Sequence, residues 1–127
     1  MSISKKVLLP ILISAILILP LYALAASKSG VIQGFDCVSH GVNCPTDNMD
    51  PHIALEKDFV LLTSNGYYLI PNIDAKVLAK YVSMKAMVEG EVNEKYNSIT
   101  ASSLTVNGKV VWSQAMVDEA YKKMFMR

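Results

Sequence analysis

Every cysteine and every histidine of the 127-residue chain falls in one stretch, as Cys37, His40, Cys44 and His52 in the pattern C-x2-H-x3-C-x7-H. Thiolate and imidazole are the donors that zinc and copper prefer, so these four residues could serve as one metal-ligand set. Gly41 beside His40 allows a tight bend, and Asp47 and Asp50 stand close enough to accept an imidazole N–H. A second chemistry uses the same residues. Oxidation of Cys37 and Cys44 would close a small loop, for about 2–3 kcal/mol by chain entropy, and would leave both histidines as ordinary loop residues. A redox-active pair is the third reading, although the spacing is neither C-x-x-C nor the C-x-x-C-H of haem attachment. The disulfide is the expected state and needs no cofactor; zinc or copper belongs to the alternative.

Acid–base or nucleophilic catalysis finds less support. Ser39 and His40 are adjacent, and neighbouring side chains seldom face each other as a nucleophile and its base must. Asp50 could orient His52, but no nucleophile is set beside it. The expectation is a non-enzyme. Tyr67 and Tyr68 are a candidate ligand face, since tyrosine stacks on sugars and bases, with ordinary strand packing as the alternative. Trp112 and Phe125 read as core or helix-docking residues, and Met116 and Met124 as packing on a last helix.

The N-terminus bears on compartment. Lys5 and Lys6 precede a charge-free run from Val7 to Leu24, and Ala23-Leu24-Ala25 supplies small residues two apart. That order is a secretory signal peptide, residues 1–25, cut after Ala25. The alternative is an uncleaved anchor, because the run approaches the ~20 residues that span a bilayer. Both readings put the remainder outside the cytoplasm, with membrane contact only through residues 7–25 if they are retained. The whole chain has 12 basic and 11 acidic residues; losing Lys5 and Lys6 leaves ten against eleven, a net of −1. A near-neutral domain lacks the basic footprint that phosphate backbones need, so no nucleic-acid partner is expected.

Residues 26–30 read as a polar spacer and residues 31–127 as a single domain. Val31–Val38 is β-prone, with Gly34 marking a bulge or close backbone approach, and residues 37–55 hold a long irregular Cys/His loop. Phe59–Thr63 and Tyr67–Ile70 flank Asn65-Gly66, which predicts a hairpin with a type I′ turn. Ile73, Val77, Leu78 and Tyr81 then share a helical face, with Asn72 or Asp74 as N-cap. Ser83–Val92 alternates, directing Ala86, Val88, Gly90 and Val92 to one side. Ser98–Val106 is a further strand, Asn107-Gly108 a second type I′ pair, and Lys109–Trp112 a last strand before a helix capped by Ser113.

A helix between the third and fourth of five strands, with Val88-Glu89-Gly90-Glu91-Val92 followed by a turn and an alternating strand, resembles the oligonucleotide/oligosaccharide-binding fold in its small exported bacterial form. The resemblance spans residues 31–106 and carries no functional residue with it. It implies a mainly β, α+β domain: a five-stranded barrel with a C-terminal helix. Together with the leader it implies an exported binding or accessory domain of the bacterial cell envelope, whose disulfide-closed loop meets an envelope protein.

Overall fold

A computed structural model describes residues 26–126. The leader, with its expected cleavage after Ala25 or its alternative role as an anchor, lies outside the described residues. Among those described, no helix is long and apolar enough to cross a membrane.

Six strands and four helices follow one another as β1 (Ala26–Gly34), α1 (Phe35–Ser39), α2 (Pro51–Leu55), β2 (Phe59–Thr63), β3 (Gly66–Leu69), α3 (Ala75–Ala79), β4 (Lys85–Asn93), β5 (Ser98–Val106), β6 (Lys109–Ser113) and α4 (Gln114–Phe125). The sheet runs β3-β2-β1-β4-β5-β6, and a parallel pairing of β3 with β5 at Leu69–Ser98 closes five of the strands into a ring. The domain is therefore a closed five-stranded barrel with a sixth strand, mainly β with helices. One helix lies between the third and fourth strands and another at the C-terminus, as expected.

The supposed spacer is not one. Residues 26–30 belong to β1, whose first half pairs with β4 (Ala26–Gly90 to Val31–Lys85) and whose second half pairs with β2 (Val31–Leu62 to Gly34–Phe59). Serving two neighbours in turn, β1 needs this length. At its other end it stops at Gly34 and the chain turns into α1, so the strand expected through Val38 is four residues too long.

Closure depends on a side chain. Where the β3–β5 ladder ends, the Asn72 amide donates to the Ala101 carbonyl at 2.7 Å and accepts from the Ala101 N–H at 2.7 Å. Asn72 thus acts as one more rung of the sheet, and Asp74 is the N-cap of α3, accepting from the Lys76 N–H at 2.7 Å. The core fills the ring with Ile32, Leu61, Val88, Ile99 and Leu104, all fully buried, and Leu78 and Val82 from the α3 segment join it. Along β4 the alternation is as expected, with Ala86, Val88 and Gly90 inward. Along β5 the inward set changes from Ile99 and Ala101 to Leu104 and Val106. The register shift opposite Glu89/Gly90 inserts a residue there, and the Ser102 hydroxyl donates to the Glu89 carbonyl at 3.1 Å.

The two Asn-Gly pairs behave differently. Asn107 and Gly108 have φ of 51° and 78°, the type I′ geometry, between the paired Val106 and Lys109. At the first hairpin Gly66 alone has positive φ. There the Thr63 hydroxyl accepts from the Asn65 N–H at 3.3 Å and donates to the Gly66 carbonyl at 2.9 Å, which stabilises a different turn. The hairpin forms as expected; its turn type does not.

The last helix also departs from expectation. Trp112 is buried at 8% exposure, but α4 buries no residue and Phe125 stays 74% exposed. Val117 of its apolar stripe packs against the core, whereas Met116, Tyr121 and Met124 stay exposed.

Candidate functional site

Cys37 and Cys44 are joined by a disulfide with Cα atoms 5.6 Å apart. The segment drawn over the barrel by this crosslink is not a bare loop. Phe35–Ser39 winds as α1 and Pro51–Leu55 as α2, the second begun by Pro51 at its first position and by Asp50, which accepts from the His52 N–H at 2.9 Å. Ile53 of α2 and Cys44 reach the barrel core, at 3% and 4% exposure. Two short helices anchored in this way answer the problem that a long irregular segment poses for its own backbone groups.

Three polar residues hold the crosslinked segment, and none was evident from the Cys/His pattern. Glu56 caps α1 from nineteen and twenty residues away: its carboxylate accepts from the Asp36 N–H at 3.0 Å and the Cys37 N–H at 3.1 Å. Its Oε1 also lies 3.2 Å from Cys37 Sγ, which in a disulfide has no proton to donate. Gly34 makes room for it, since a Cβ there would overlap the Glu56 side chain. The sequence suggests a bulge or a close backbone approach at Gly34; what approaches is a side chain. Gln33, 4% exposed, is the second. Its Oε1 accepts from the Cys44 N–H at 2.7 Å and its Nε2 donates to the Ser83 hydroxyl at 3.3 Å. Ser83 is the third, with φ of 63°; its hydroxyl lies 3.2 Å from the Pro45 carbonyl and its N–H donates to Ile32 at 2.7 Å.

The histidines border the same surface. His40, His52, Cys37, Val42, Leu55 and Glu56 line a shallow, largely apolar cleft of about 270 Å³ together with Asp36. His40 Nδ1 is 2.7 Å from the Asp36 carbonyl and therefore carries the proton; His52 Nδ1 is 2.8 Å from Asp50 Oδ1. The His52 N–H, and after it the imidazole, hold the Asp50 carboxyl below its ordinary range. Among the described residues one group of three has its donor atoms within 4.8 Å of one another: Cys37, Cys44 and Glu56. Neither histidine belongs to it, and both sulfurs are bonded to each other, so the expected disulfide is present and the alternative C-x2-H-x3-C-x7-H ligand set is not assembled.

Tyr67 and Tyr68, being consecutive on β3, point to opposite sides. Tyr67 packs edge-on against Phe35, ring centres 5.7 Å apart. The Tyr68 hydroxyl donates to Glu94 at 3.2 Å, with Lys28 Nζ 5.3 Å from its ring centre. Both border a polar cleft of about 340 Å³, but they do not form one stacking platform.

No family model, curated protein or solved structure matches the chain.

Proposed function

We propose that the protein is an exported, non-enzymatic binding module of the bacterial cell envelope, and that the crosslinked segment over the barrel is its contact surface for an envelope protein. The observation that carries this reading is an apolar surface on a clamped backbone. Val42 is 57% and Leu55 74% exposed beside the Cys37–Cys44 crosslink, with His40, His52 and Asp36 around them. Exposed aliphatic side chains on a segment that is already ordered lose little entropy on binding, which is what a docking surface requires. The crosslink fits an oxidising compartment, and the Lys5-Lys6 and Val7–Leu24 order fits export to one.

The test is in-cell crosslinking from the segment, with a photoreactive residue at Leu55 compared with one at Lys109 on β6. A discrete adduct in the envelope fraction from position 55, abolished by Val42→Ser, supports the reading. Adducts of equal intensity from both positions would sink it. Intact mass measured without reductant reports cleavage after Ala25 and crosslinking together.

One observation favours a second reading. Cys37, Cys44 and Glu56 would offer two thiolates and a carboxylate to zinc or copper if the sulfurs were reduced, so the metal alternative survives with Glu56 in place of the histidines. Metal content near zero after reduction and zinc or copper loading removes it.

A further inference from the structure

The Cys37–Cys44 crosslink presents its two sulfurs unequally. Cys44 is 4% exposed, and its Sγ accepts from the Gly34 N–H at 3.3 Å. Cys37 is half-buried and borders the cleft lined by Val42 and Leu55. A thiol arriving from solvent therefore meets Cys37 first. Exchange there has a fixed course. The incoming thiolate bonds to Cys37 Sγ, the Cys37–Cys44 bond breaks, and its electron pair leaves on Cys44, where the Gly34 N–H is placed to hold it. A second thiolate then displaces the first from Cys37. The two thiols end as a disulfide, and the two cysteines take up the two protons the thiols gave.

Glu56 opposes that course. Its Oε1 lies 3.2 Å from Cys37 Sγ and 3.9 Å from Cys44 Sγ. During exchange one negative charge is shared by the attacking, central and leaving sulfurs, and the carboxylate faces two of the three. Asp36 brings a second acidic side chain to the cleft, and no lysine or arginine is among its lining residues. The lining histidines have Nδ1 engaged by the Asp36 carbonyl and by Asp50. Reactive cysteines sit in the opposite setting, beside cations that stabilise a thiolate. Nor is the carboxylate free to swing away, since its two oxygens accept from the Asp36 and Cys37 N–H groups at 3.0 Å and 3.1 Å.

We propose that Glu56 protects the Cys37–Cys44 bond from thiol–disulfide exchange, so that the segment stays crosslinked among small thiols and protein dithiols. This goes beyond the docking reading and does not depend on it, because the chain alone holds both the bond and the carboxylate. Capping α1 fixes where Glu56 sits; its charge gives it the second role.

The experiment is reduction of the purified, oxidised protein by two reagents, followed by alkylation and intact mass. Dithiothreitol attacks as an anion. A neutral, water-soluble trialkylphosphine attacks without net charge, and water completes the step to two thiols and the phosphine oxide. Glu56→Gln keeps an acceptor for the α1 N–H groups and removes the charge, with a thermal melt to check the fold. Dithiothreitol should reduce this variant at least about tenfold faster than the parent, while the phosphine rate changes less than about twofold. The parent itself supplies a second measurement. Raising salt from about 10 mM to about 1 M should quicken its reaction with dithiothreitol and not with the phosphine. Glutathione adducts trapped by acid should map to Cys37. The proposal is overturned by an unchanged dithiothreitol rate in Glu56→Gln, by a parent rate indifferent to salt, or by a first adduct at Cys44. Equal acceleration with both reagents overturns it as well, for Glu56 then acts only by holding the segment in shape.

Discussion

Replacing both Cys37 and Cys44 with alanine removes the crosslink and leaves its surroundings in place. The two residues are separated by 7 positions, and the chain entropy of a loop that size corresponds to about 2.4 kcal/mol at 25 °C. For a domain near 100 residues, 1 kcal/mol moves the melting temperature about 4–8 °C, so the variant should melt about 10–20 °C lower. Yet the barrel should remain folded, because the Cys44 N–H still reaches Gln33 and Ser83 still holds the Pro45 carbonyl. Thermal unfolding by circular dichroism gives the first number, and amide exchange locates the effect. Protection should fall over residues 35–45 and persist in β4 and β5, whose hydrogen bonds do not involve the crosslink. Unchanged exchange at 35–45 would refute the reasoning, since the crosslink would then not be what orders the segment. Loss of the fold at 25 °C would refute it from the other side.

Three other changes probe separate parts of the same reasoning. Gln33→Leu keeps roughly the volume but leaves the buried Cys44 N–H without an acceptor, at a cost of about 1–3 kcal/mol in denaturant unfolding; a neutral result would show that water replaces it. Asn72→Asp sets a carboxylate oxygen against the Ala101 carbonyl where an N–H now donates, and should cost more than Asn72→Ala, with exchange rising first in β3 and the start of β5. Asp50 is held below its ordinary pKa by the His52 N–H and imidazole, so its capping of α2 is complete above the ordinary carboxylate value and is lost as pH falls through the lowered one. The His52 amide shift, followed by NMR, should titrate with a midpoint below that ordinary value, and Asp50→Asn should abolish the step.

The elements that short-range chemistry specifies were legible in the chain itself. Ser113 as a cap, the alternation of Ala86, Val88 and Gly90, and the Asn107-Gly108 turn each follow from neighbours a few residues apart. The Cys37–Cys44 pairing was legible for a different reason, as two cysteines allow one intrachain bond. Neighbouring chemistry failed at Asn65, where the same dipeptide yields to the hydroxyl of Thr63. Residues 26–30 carry too few apolar side chains to signal a strand, and become one because β4 supplies the partner for their backbone.

What remained hidden was set by groups far apart in the chain. Glu56 caps α1 across nineteen and twenty positions, the Gln33–Ser83 bond spans 50, and Asn72 completes the barrel seam across 29. A carboxylate or amide has the same appearance in a sequence whether it faces water or an orphan N–H; only the closed barrel brings donor and acceptor within 3 Å or so. The stripe on α4 shows the complementary limit. Periodicity says that Met116, Ala120 and Met124 share a face that should be covered, but whether the rest of the chain covers it depends on where the barrel places the helix, and it leaves that face open.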